Sequence, residues 1–416
     1  MPTIKDLRAD EDRYWASIMA SAEIGVGRPG GLSRLTLSKA DGEMRDLFVR
    51  WCNEIDLTVE IDEIGSIFAT YEGREPDLPP VYVGSHLDSQ INGGRFDGIA
   101  GVLGGLEICR RLAEVGHRPR RSITVVNWTN EEGARFSPPM VASGCFVGAH
   151  SVEWVHNLTD VDGIRFVDAL EAIAYRGTRP CSAVPVDAYF EFHIEQGPIL
   201  DAEGRDVGVV TGSYPSTGIR AAFHGRTAHT GPTPMEDRQN ALVAAARWLT
   251  AVDDIGWEFA IGDGKATGAK LAAWPNRAGI LSDWAEAVCD VRHADRITQR
   301  TMAGRMRRAL HEAAARAGCT AEILDEWEWG GDIFDPDLIT LVREEAVRQN
   351  LNWRDIKSQA GHDAYMMATH CPTAMVFAPC KGGITHNNEE DCDPGQLLGG
   401  LNVLLQAVIA RADRES

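Results

Sequence analysis

The stretch 81–115, "VYVGSHLDSQINGGRFDGIAGVLGGLEICRRLAEV", contains the features that decide the fold. It opens on an apolar run typical of a buried strand, and from Val102 to Leu112 its apolar residues recur at helical spacing. Between the two lies a glycine-rich loop, 84–98, which carries His86 and two aspartates. Open α/β sheets bind ligands beyond the carboxyl ends of their strands, where such loops lie. The stretch therefore predicts a strand, a ligand-binding loop and a helix in an α/β protein.

The same alternation of apolar runs and helical periodicity continues along the chain and predicts a sheet layered with helices. Three further apolar runs are predicted strands: 122–128, 188–194 and 374–378. A different pattern of strands and helices occupies 214–330, which predicts a smaller inserted α+β domain. The first domain is then formed by 1–213 together with 331–416.

The composition limits the classes of partner. The 416 residues include 41 Lys and Arg against 61 Asp and Glu, for a formal net charge of −20. This acidic balance argues against binding to nucleic acid or to an anionic membrane surface, and it favours a small-molecule ligand. There is no uninterrupted run of about 18 apolar residues to predict a membrane span. Nine cysteines without a CxxC pair indicate reduced thiols, so we expect a cytoplasmic protein.

Polar residues follow several predicted strands, and five of them form a set of nitrogen and oxygen ligands without sulfur: His86, Asp97, Glu132, His193 and His386. Imidazole and carboxylate groups suit zinc, manganese, cobalt or nickel. Five ligands exceed the needs of one tetrahedral ion, whereas two ions can share them if one carboxylate bridges. Two ions about 3.5–4 Å apart can hold a water as hydroxide and polarise a carbonyl, which predicts hydrolytic chemistry.

Each of these residues alone also has a structural interpretation. His86 or His386, in its glycine-rich loop, could be a surface or capping residue, and His193 could be a hydrogen-bonded core histidine. Glu131 and Glu132 could mark a helix N-terminus, where the helix dipole favours carboxylates. The joint occurrence of these residues favours the metal site, in which Glu131 would move the proton.

Seven motifs span nearly the whole chain, in this order: "GSHLDS", "GGRFDG", "NEEGARF", "HIEQGPIL", "GRTAHTGPTPMEDR", "AGHDA" and "GITHNNEE". In these motifs the chain resembles the N-carbamoyl-L-amino-acid amidohydrolases. Allantoate amidohydrolase and one type of β-ureidopropionase share the pattern, within the di-zinc aminoacylase and carboxypeptidase superfamily. The resemblance implies a mixed-sheet hydrolase domain with helices on both faces and an inserted dimerisation or lid domain. It also implies a homodimer that cleaves the C–N bond of a small N-carbamoyl (ureido) amino acid, or of a close analogue that carries a carboxylate.

The resemblance implies two divalent metal ions per subunit, zinc or else manganese, cobalt or nickel. In the positions that match the family, His86 and His193 would hold one ion, and Glu132 and His386 would hold the other. Asp97 would bridge the two ions.

Two more acidic residues acquire roles from the resemblance. Glu131 would be the general base, and Asp88 would orient the imidazole of His86 toward its ion. The resemblance also implies that the peptide between Asp97 and Gly98 is strained and often cis.

Recognition of the substrate would depend on further polar residues. The resemblance implies that Gln196 contacts the substrate, that Arg292 pairs with the substrate carboxylate, and that His229 reaches the active site of the partner subunit. A surface loop for His229 and a surface salt bridge for Arg292 are the structural alternatives. The family asparagine thirteen residues before Arg292 is replaced by Gly279, and Asn276 lies three positions away. Either the loop is reshaped so that Asn276 still reaches the substrate carboxylate, or the pocket and the substrate differ from those of the family.

Two other classes of function compete with this interpretation. One is another hydrolase of the superfamily, an N-acyl-amino-acid deacylase or an aminopeptidase, which would use the same residues. The other is a non-enzymatic metal-binding protein, which would have little use for Glu131 beside the ligand Glu132.

Overall fold

The computed structural model describes residues 4–27, 31–331 and 333–415. The chain forms two compact units. Unit 1 consists of Met1–Thr211 and Ile333–Ser416, and unit 2 consists of Gly212–Asp332.

The α-helices, in chain order, are α1 (Glu11–Ala22), α2 (Lys39–Asn53), α3 (Ile99–Val115), α4 (Val141–Phe146), α5 (Val152–His156), α6 (Phe166–Ala172), α7 (Ile199–Ala202), α8 (Ala241–Phe259), α9 (Arg296–Arg316), α10 (Pro336–Arg348), α11 (Asp363–Met367) and α12 (Pro394–Ala412). The strands are β1 (Thr58–Ile61), β2 (Ile67–Tyr71), β3 (Val81–His86), β4 (Ile123–Trp128), β5 (Ala188–Ile194), β6 (Val207–Ser213), β7 (Ser216–His224), β8 (Lys265–Trp274), β9 (Trp284–Arg292), β10 (Thr320–Trp329), β11 (Trp353–Ser358) and β12 (Thr373–Ala378). The predicted strands at 122–128, 188–194 and 374–378 are confirmed as β4, β5 and β12, and the predicted helix is α3.

A mixed eight-stranded sheet has the order β1-β2-β4-β3-β5-β12-β6-β11. Strands β4, β3, β5 and β12 are parallel to one another, whereas β1, β2 and β6 form antiparallel pairs. The carboxyl ends of the four parallel strands therefore lie at one edge of the sheet. The α/β class and the mixed sheet agree with the sequence prediction.

Helix α3 packs closely on the parallel strands because it is rich in glycine. A Cβ atom built on Gly101 would lie 2.4 Å from the carbonyl oxygen of Phe192 in β5, and one on Gly105 would lie 2.9 Å from Val125 in β4. Every residue of β3 is buried. The central strands and α3 thus form a close-packed interior that fixes the end of β3, where His86 lies.

Unit 2 has its own antiparallel sheet, in the order β10-β7-β9-β8, and its own apolar core. The core lies between the sheet and helices α8 and α9, and it includes Phe223, Trp248 and Met306. The two ends of unit 2 are joined by hydrogen bonds: the Ser213 amide donates to the Gly331 carbonyl (2.9 Å), and the Gly331 amide donates to Ser213 Oγ (3.0 Å). Among the helices of the described residues, none is long and apolar enough to cross a membrane.

Candidate metal-dependent active site

The five predicted metal ligands are brought together at the carboxyl ends of the parallel strands. His86 is the last residue of β3, and His193 is the penultimate residue of β5. Glu132 follows β4, and His386 lies in the loop after β12. Asp97 lies just before α3. Strands that are neighbours in the sheet therefore bring together residues from positions 86 to 386.

The carboxylate of Asp97 lies at the centre of this cluster and faces both sides. Its Oδ1 lies 3.1 Å from Nε2 of His193 and 3.6 Å from Nε2 of His86. Its Oδ2 lies 3.2 Å from Nε2 of His386, which is in turn 3.4 Å from Oε2 of Glu132. We call His86, Asp97 and His193 the first half-site. Asp97, Glu132 and His386 form the second half-site, and each set can hold one metal ion.

The hydrogen bonds of the first half-site fit a cation. Nδ1 of His86 lies 2.9 Å from the Asp88 carbonyl oxygen, and Nδ1 of His193 lies 2.9 Å from the Ile194 carbonyl oxygen. A carbonyl only accepts, so each Nδ1 is the donor, and in a neutral imidazole Nε2 then carries a lone pair. Nε2 of His193 is buried without a hydrogen-bond partner and faces the carboxylate of Asp97. Two acceptors that face each other in a buried site need a proton or a metal ion between them, and imidazole with carboxylate suits a divalent transition metal.

The electrostatics of the cluster favour positive charge as well. Burial alone would lower the pKa of His86, yet the charge of Glu131 and the contact with Asp97 raise this pKa well above its ordinary value. The pKa of Asp97 is lowered well below its ordinary value despite burial, because His193, His386 and His86 contact it. A proton and a metal ion compete for the same imidazole nitrogens.

Glu131 and Glu132 are adjacent but face different partners. The Gln90 side chain donates from Nε2 to Oε2 of Glu132 (2.9 Å), and the Gln90 backbone amide donates to Oε1 (3.1 Å). Oε2 of Glu131 lies 3.5 Å from Nε2 of His86. Burial raises the pKa of Glu131 well above its ordinary value and that of Glu132 to about 7. Asn130, directly before the two glutamates, is in the left-handed region at φ 64°.

The region around Asp88 differs in detail from what the resemblance implies. The Asp88 carbonyl, not its carboxylate, contacts Nδ1 of His86, while the carboxylate accepts a hydrogen bond from the hydroxyl of Thr36 and lies 3.8 Å from Nδ1. The peptide between Asp97 and Gly98 is trans, which corrects the expectation of a cis bond. Gly98 is still required, because its φ is 69° and a Cβ there would lie 2.4 Å from the His86 ring.

Gln196 is brought to the same cluster. Its Nε2 donates to Oδ2 of Asp97 (2.8 Å) and lies 3.4 Å from Nε2 of His386. Its φ of 59° places it in the left-handed region, directly after the end of β5. A residue predicted to contact the substrate therefore lies against the carboxylate that both half-sites share.

The other predicted substrate residues lie in unit 2. His229 is exposed, and its Nδ1 accepts a hydrogen bond from the Gly231 amide (3.0 Å). The strand segment at His229 pairs with Ile280, so the loop that carries the exposed Asn276 and Gly279 lies beside it. Arg292 lies elsewhere in unit 2, at the end of β9.

Arg292 is held firmly within unit 2. Its Nε donates to Oδ1 of Asp290 (3.0 Å), and its guanidinium lies 5.1 Å from the centre of the Trp329 ring. The salt bridge that was the structural alternative for Arg292 is thus present, between Arg292 and Asp290, and it orients the guanidinium group.

Several buried polar residues around the site were not assigned a role from the sequence. Glu191 in β5 accepts hydrogen bonds from the Ser85 hydroxyl (2.7 Å) and the Ala364 amide (2.9 Å). Glu390 accepts a hydrogen bond from the backbone amide of Asp97 and is 1% exposed. A carboxylate within an apolar strand such as 188–194 is the signal that could have identified Glu191. Glu390 has no such signal, because it lies in a polar loop.

A cavity of about 720 Å³ in unit 1 contains none of the predicted site residues. It lies between α2, α6 and the loop around Asp160, and its lining combines apolar and charged side chains such as Ile91, Ile173 and Arg135. It is a feature separate from the metal-ligand cluster.

Comparison with known proteins identifies the family. The model of peptidase family M20/M25/M40 matches residues 82–410. The chain belongs to this family. It is 40% identical to an N-carbamoyl-L-amino-acid amidohydrolase of Rhizobium meliloti over 98% of this chain and 97% of the relative. It is 34% identical to an N-carbamoyl-L-amino-acid amidohydrolase of Paenarthrobacter aurescens over 97% of this chain and 98% of the relative.

Solved structures agree with the fold of this family member. An amidase of the hydantoinase/carbamoylase family from Burkholderia vietnamiensis superimposes with a TM-score of 0.93 at 41% identity, covering 99% of both chains. The structure of AtUAH in complex with glyoxylate has a TM-score of 0.89 at 27% identity, covering 98% of this chain and 99% of that one. Enzymes of the family use divalent metals, and the chain is a hydrolase of carbon–nitrogen bonds other than peptide bonds.

Proposed function

We propose that this family member is a metal-dependent amidohydrolase that cleaves the C–N bond of an N-carbamoyl amino acid or a close ureido analogue. The observation that carries the proposal is the carboxylate of Asp97, which faces two half-sites while Glu131 lies beside the first. The curated relatives named N-carbamoyl-L-amino-acid amidohydrolase support the ureido substrate.

The two half-sites would hold two divalent ions. His86 and His193 would bind one ion, Glu132 and His386 the other, and Asp97 both. Zinc suits this set of ligands, and manganese, cobalt and nickel are the alternatives. When bound, two such ions lower the pKa of a shared water and polarise the substrate carbonyl.

Glu131 would be the general base and then the general acid. Its buried carboxylate would accept a proton from the attacking water and deliver it to the leaving nitrogen. An N-carbamoyl substrate would yield the free amino acid, carbon dioxide and ammonia.

Four residues would recognise the substrate. Gln196, which contacts Asp97, would bind near the reacting carbon. The guanidinium of Arg292, oriented by Asp290, would pair with the substrate carboxylate. His229 and Asn276, which lie in adjacent loops of unit 2, would complete the pocket. Asp88 would act through His86, by the contact of its carbonyl with the ring.

Assembly as a homodimer would place His229 at the partner's site. We assign residues 214–330 as the dimerisation or lid domain and 1–213 with 331–416 as the catalytic domain. Strand β8 at the end of the unit 2 sheet exposes Leu271 (42%) and Trp274 (67%), which suits an interface. All nine cysteines are free, which supports a reducing, cytoplasmic location.

A substrate panel tests the reaction. We expect ammonia from N-carbamoyl amino acids and from ureido acids, and none of this activity after exhaustive chelation with metal loss verified by elemental analysis. Activity would return on addition of zinc, manganese, cobalt or nickel. Release of acetate from N-acetyl amino acids without any ammonia release would instead favour an N-acyl deacylase, and cleavage of peptides alone would favour an aminopeptidase. Full turnover by metal-free protein would refute the proposal.

A further inference from the structure

The two half-sites are held in place by different parts of the structure. In the first, His86 and His193 lie on strands, each is 1% exposed, and each imidazole is fixed by a backbone carbonyl. In the second, Glu132 and His386 lie in loops, and the side chain of His386 is 46% exposed. His386 also has a φ of 51°, which residues other than glycine rarely adopt. The second half-site therefore depends on whatever holds its loops together.

The buried carboxylate of Glu390 joins the two loops that carry Asp97 and His386. Its Oε1 accepts hydrogen bonds from the amides of Phe96 (2.9 Å) and Asp97 (3.3 Å). Its Oε2 lies 3.1 Å from the hydroxyl of Thr385, the residue before His386, and that hydroxyl also lies 3.2 Å from Oδ2 of Asp97, so the two carboxylates share it as a donor. The Glu390 side chain thus contacts Phe96, the residue before the shared ligand Asp97, and Thr385, the residue before the exposed ligand His386.

The shape of the loop matches this carboxylate as well. A Cβ atom built on Gly94 would lie 1.9 Å from the carboxyl carbon of Glu390. The backbone therefore passes so close to Glu390 that a side chain at this position would displace the carboxylate. This steric fit is independent of the hydrogen bonds and leads to the same conclusion.

We propose that Glu390 is a positioning residue that sets the occupancy of the second half-site by fixing Asp97 relative to His386. The inference rests on the proposed function, because it requires the two half-sites to bind metal. Loss of the carboxylate leaves the buried amides of Phe96 and Asp97 without their acceptor, while the Thr385 hydroxyl keeps only Oδ2 of Asp97, 3.2 Å away, and the two loops then lose their fixed spacing. The first half-site keeps both of its histidines, since neither contacts Glu390.

Titration of metal-free protein with Co²⁺ tests the proposal by a readout other than activity. We would measure the stoichiometry, the affinity of each equivalent and the visible absorption of bound Co²⁺ in wild type, Glu390→Ala and Glu390→Gln. The matched control is Glu389→Gln, since Glu389 is the exposed neighbour. We expect two ions per chain in wild type and in the control.

Glu390→Ala should bind the second ion at least about 10-fold more weakly, the scale seen when residues that support metal ligands are removed. The first ion should be weakened less, because only Asp97 among its three ligands depends on Glu390. Glu390→Gln keeps one acceptor oxygen, so its loss should be smaller. Gly94→Ala, which displaces the carboxylate without removing it, should also weaken the second ion. It provides the second test if Glu390→Ala does not fold.

Three outcomes would overturn the inference. Wild-type affinities and spectra in both Glu390→Ala and Gly94→Ala would refute it and leave the proposed function intact. An equal loss of both ions would make Glu390 a general structural residue. A wild-type protein that binds fewer than two ions would refute the proposed function together with the inference.

Discussion

At the scale of single residues, the adjacent carboxylates Glu131 and Glu132 differ through their contacts. Glu132 is held by two hydrogen bonds from Gln90 and faces His386, which suits a metal ligand. Glu131 faces His86 and contributes to neither half-site as a ligand, which suits a base. The two roles can therefore be separated by matched amide substitutions.

Glu131→Gln should retain two metal ions and lose at least about 100-fold in turnover, because it deletes the group that moves the proton. Glu132→Gln should lose the ion of the second half-site. Metal analysis of both variants, together with initial rates on the best substrate, measures the two effects. If Glu131→Gln loses metal while Glu132→Gln keeps it, the two roles are reversed.

A second residue, Asp62, links stability to pH outside the metal-ligand cluster. Its Oδ1 accepts hydrogen bonds from the amides of Ser66 (2.8 Å) and Ile64 (3.0 Å), yet burial raises its pKa to about 6. The folded state therefore binds this proton more tightly than the unfolded chain does. The stabilisation is complete below the unfolded pKa of about 3.9 and is lost as the pH rises through 6.

Asp62→Asn keeps an acceptor oxygen and cannot ionise. Relative to wild type, the variant should gain up to about 3 kcal/mol of unfolding free energy between pH 4 and pH 7, which is about two pKa units. Urea unfolding across this range measures the gain, with the exposed Asp77→Asn as control. A difference that does not change with pH would contradict the assignment.

At the scale of elements, the site follows from four parallel strands and the turn between β3 and α3. The sequence could predict the strands, because their apolar runs match β4, β5 and β12, and it could predict that polar residues after parallel strands would meet. It could not predict the roles of Gln90 and Glu390. Their contacts depend on loops whose course is set by residues in the left-handed region, such as Asn130 and His386.

The glycine at the start of α3 provides a test at this scale. Gly98→Ala places a methyl group against the ring of His86. The variant should therefore weaken metal binding at the first half-site about 10-fold. It should also cost about 1–3 kcal/mol in backbone strain, because φ 69° with ψ −47° lies outside the left-handed helical region. Gly116→Ala, at the other end of α3, is the matched control, because its φ is 66° but a Cβ there contacts nothing within 4 Å. Equal metal affinity in the two variants would contradict the steric explanation.

At the scale of the whole molecule, the proposed dimer makes each active site depend on two chains. His229 is exposed in unit 2, and every proposed metal ligand is in unit 1. Closed two-fold pairing is the commonest form of homo-oligomer, and in such a dimer both chains would contribute the same residue to the partner's site.

Complementation measures this dependence. Glu131→Gln and His229→Ala should each be nearly inactive alone, whereas a heterodimer of the two would contain one site with both defects and one with neither. Refolding the two variants together should recover up to about a quarter of wild-type activity, because random pairing makes about half of the dimers mixed. Without recovery in a sample in which mixed dimers have formed, His229 serves its own chain or has no catalytic role.

The hydrogen bonds that join Ser213 to Gly331 also bear on how the chain folds. Strands β5 and β12 are neighbours, although about 180 residues separate them, and about 120 of those belong to unit 2. If unit 2 closes first, the remaining loop is about a third as long, which lowers the entropic cost of pairing β5 with β12 by about 1 kcal/mol. Pulsed hydrogen exchange during refolding should therefore protect the amides of α8 before those of β12. Early folding of the inserted unit would then bring β11 and β12 close to the strands of the main sheet that precede it in the chain.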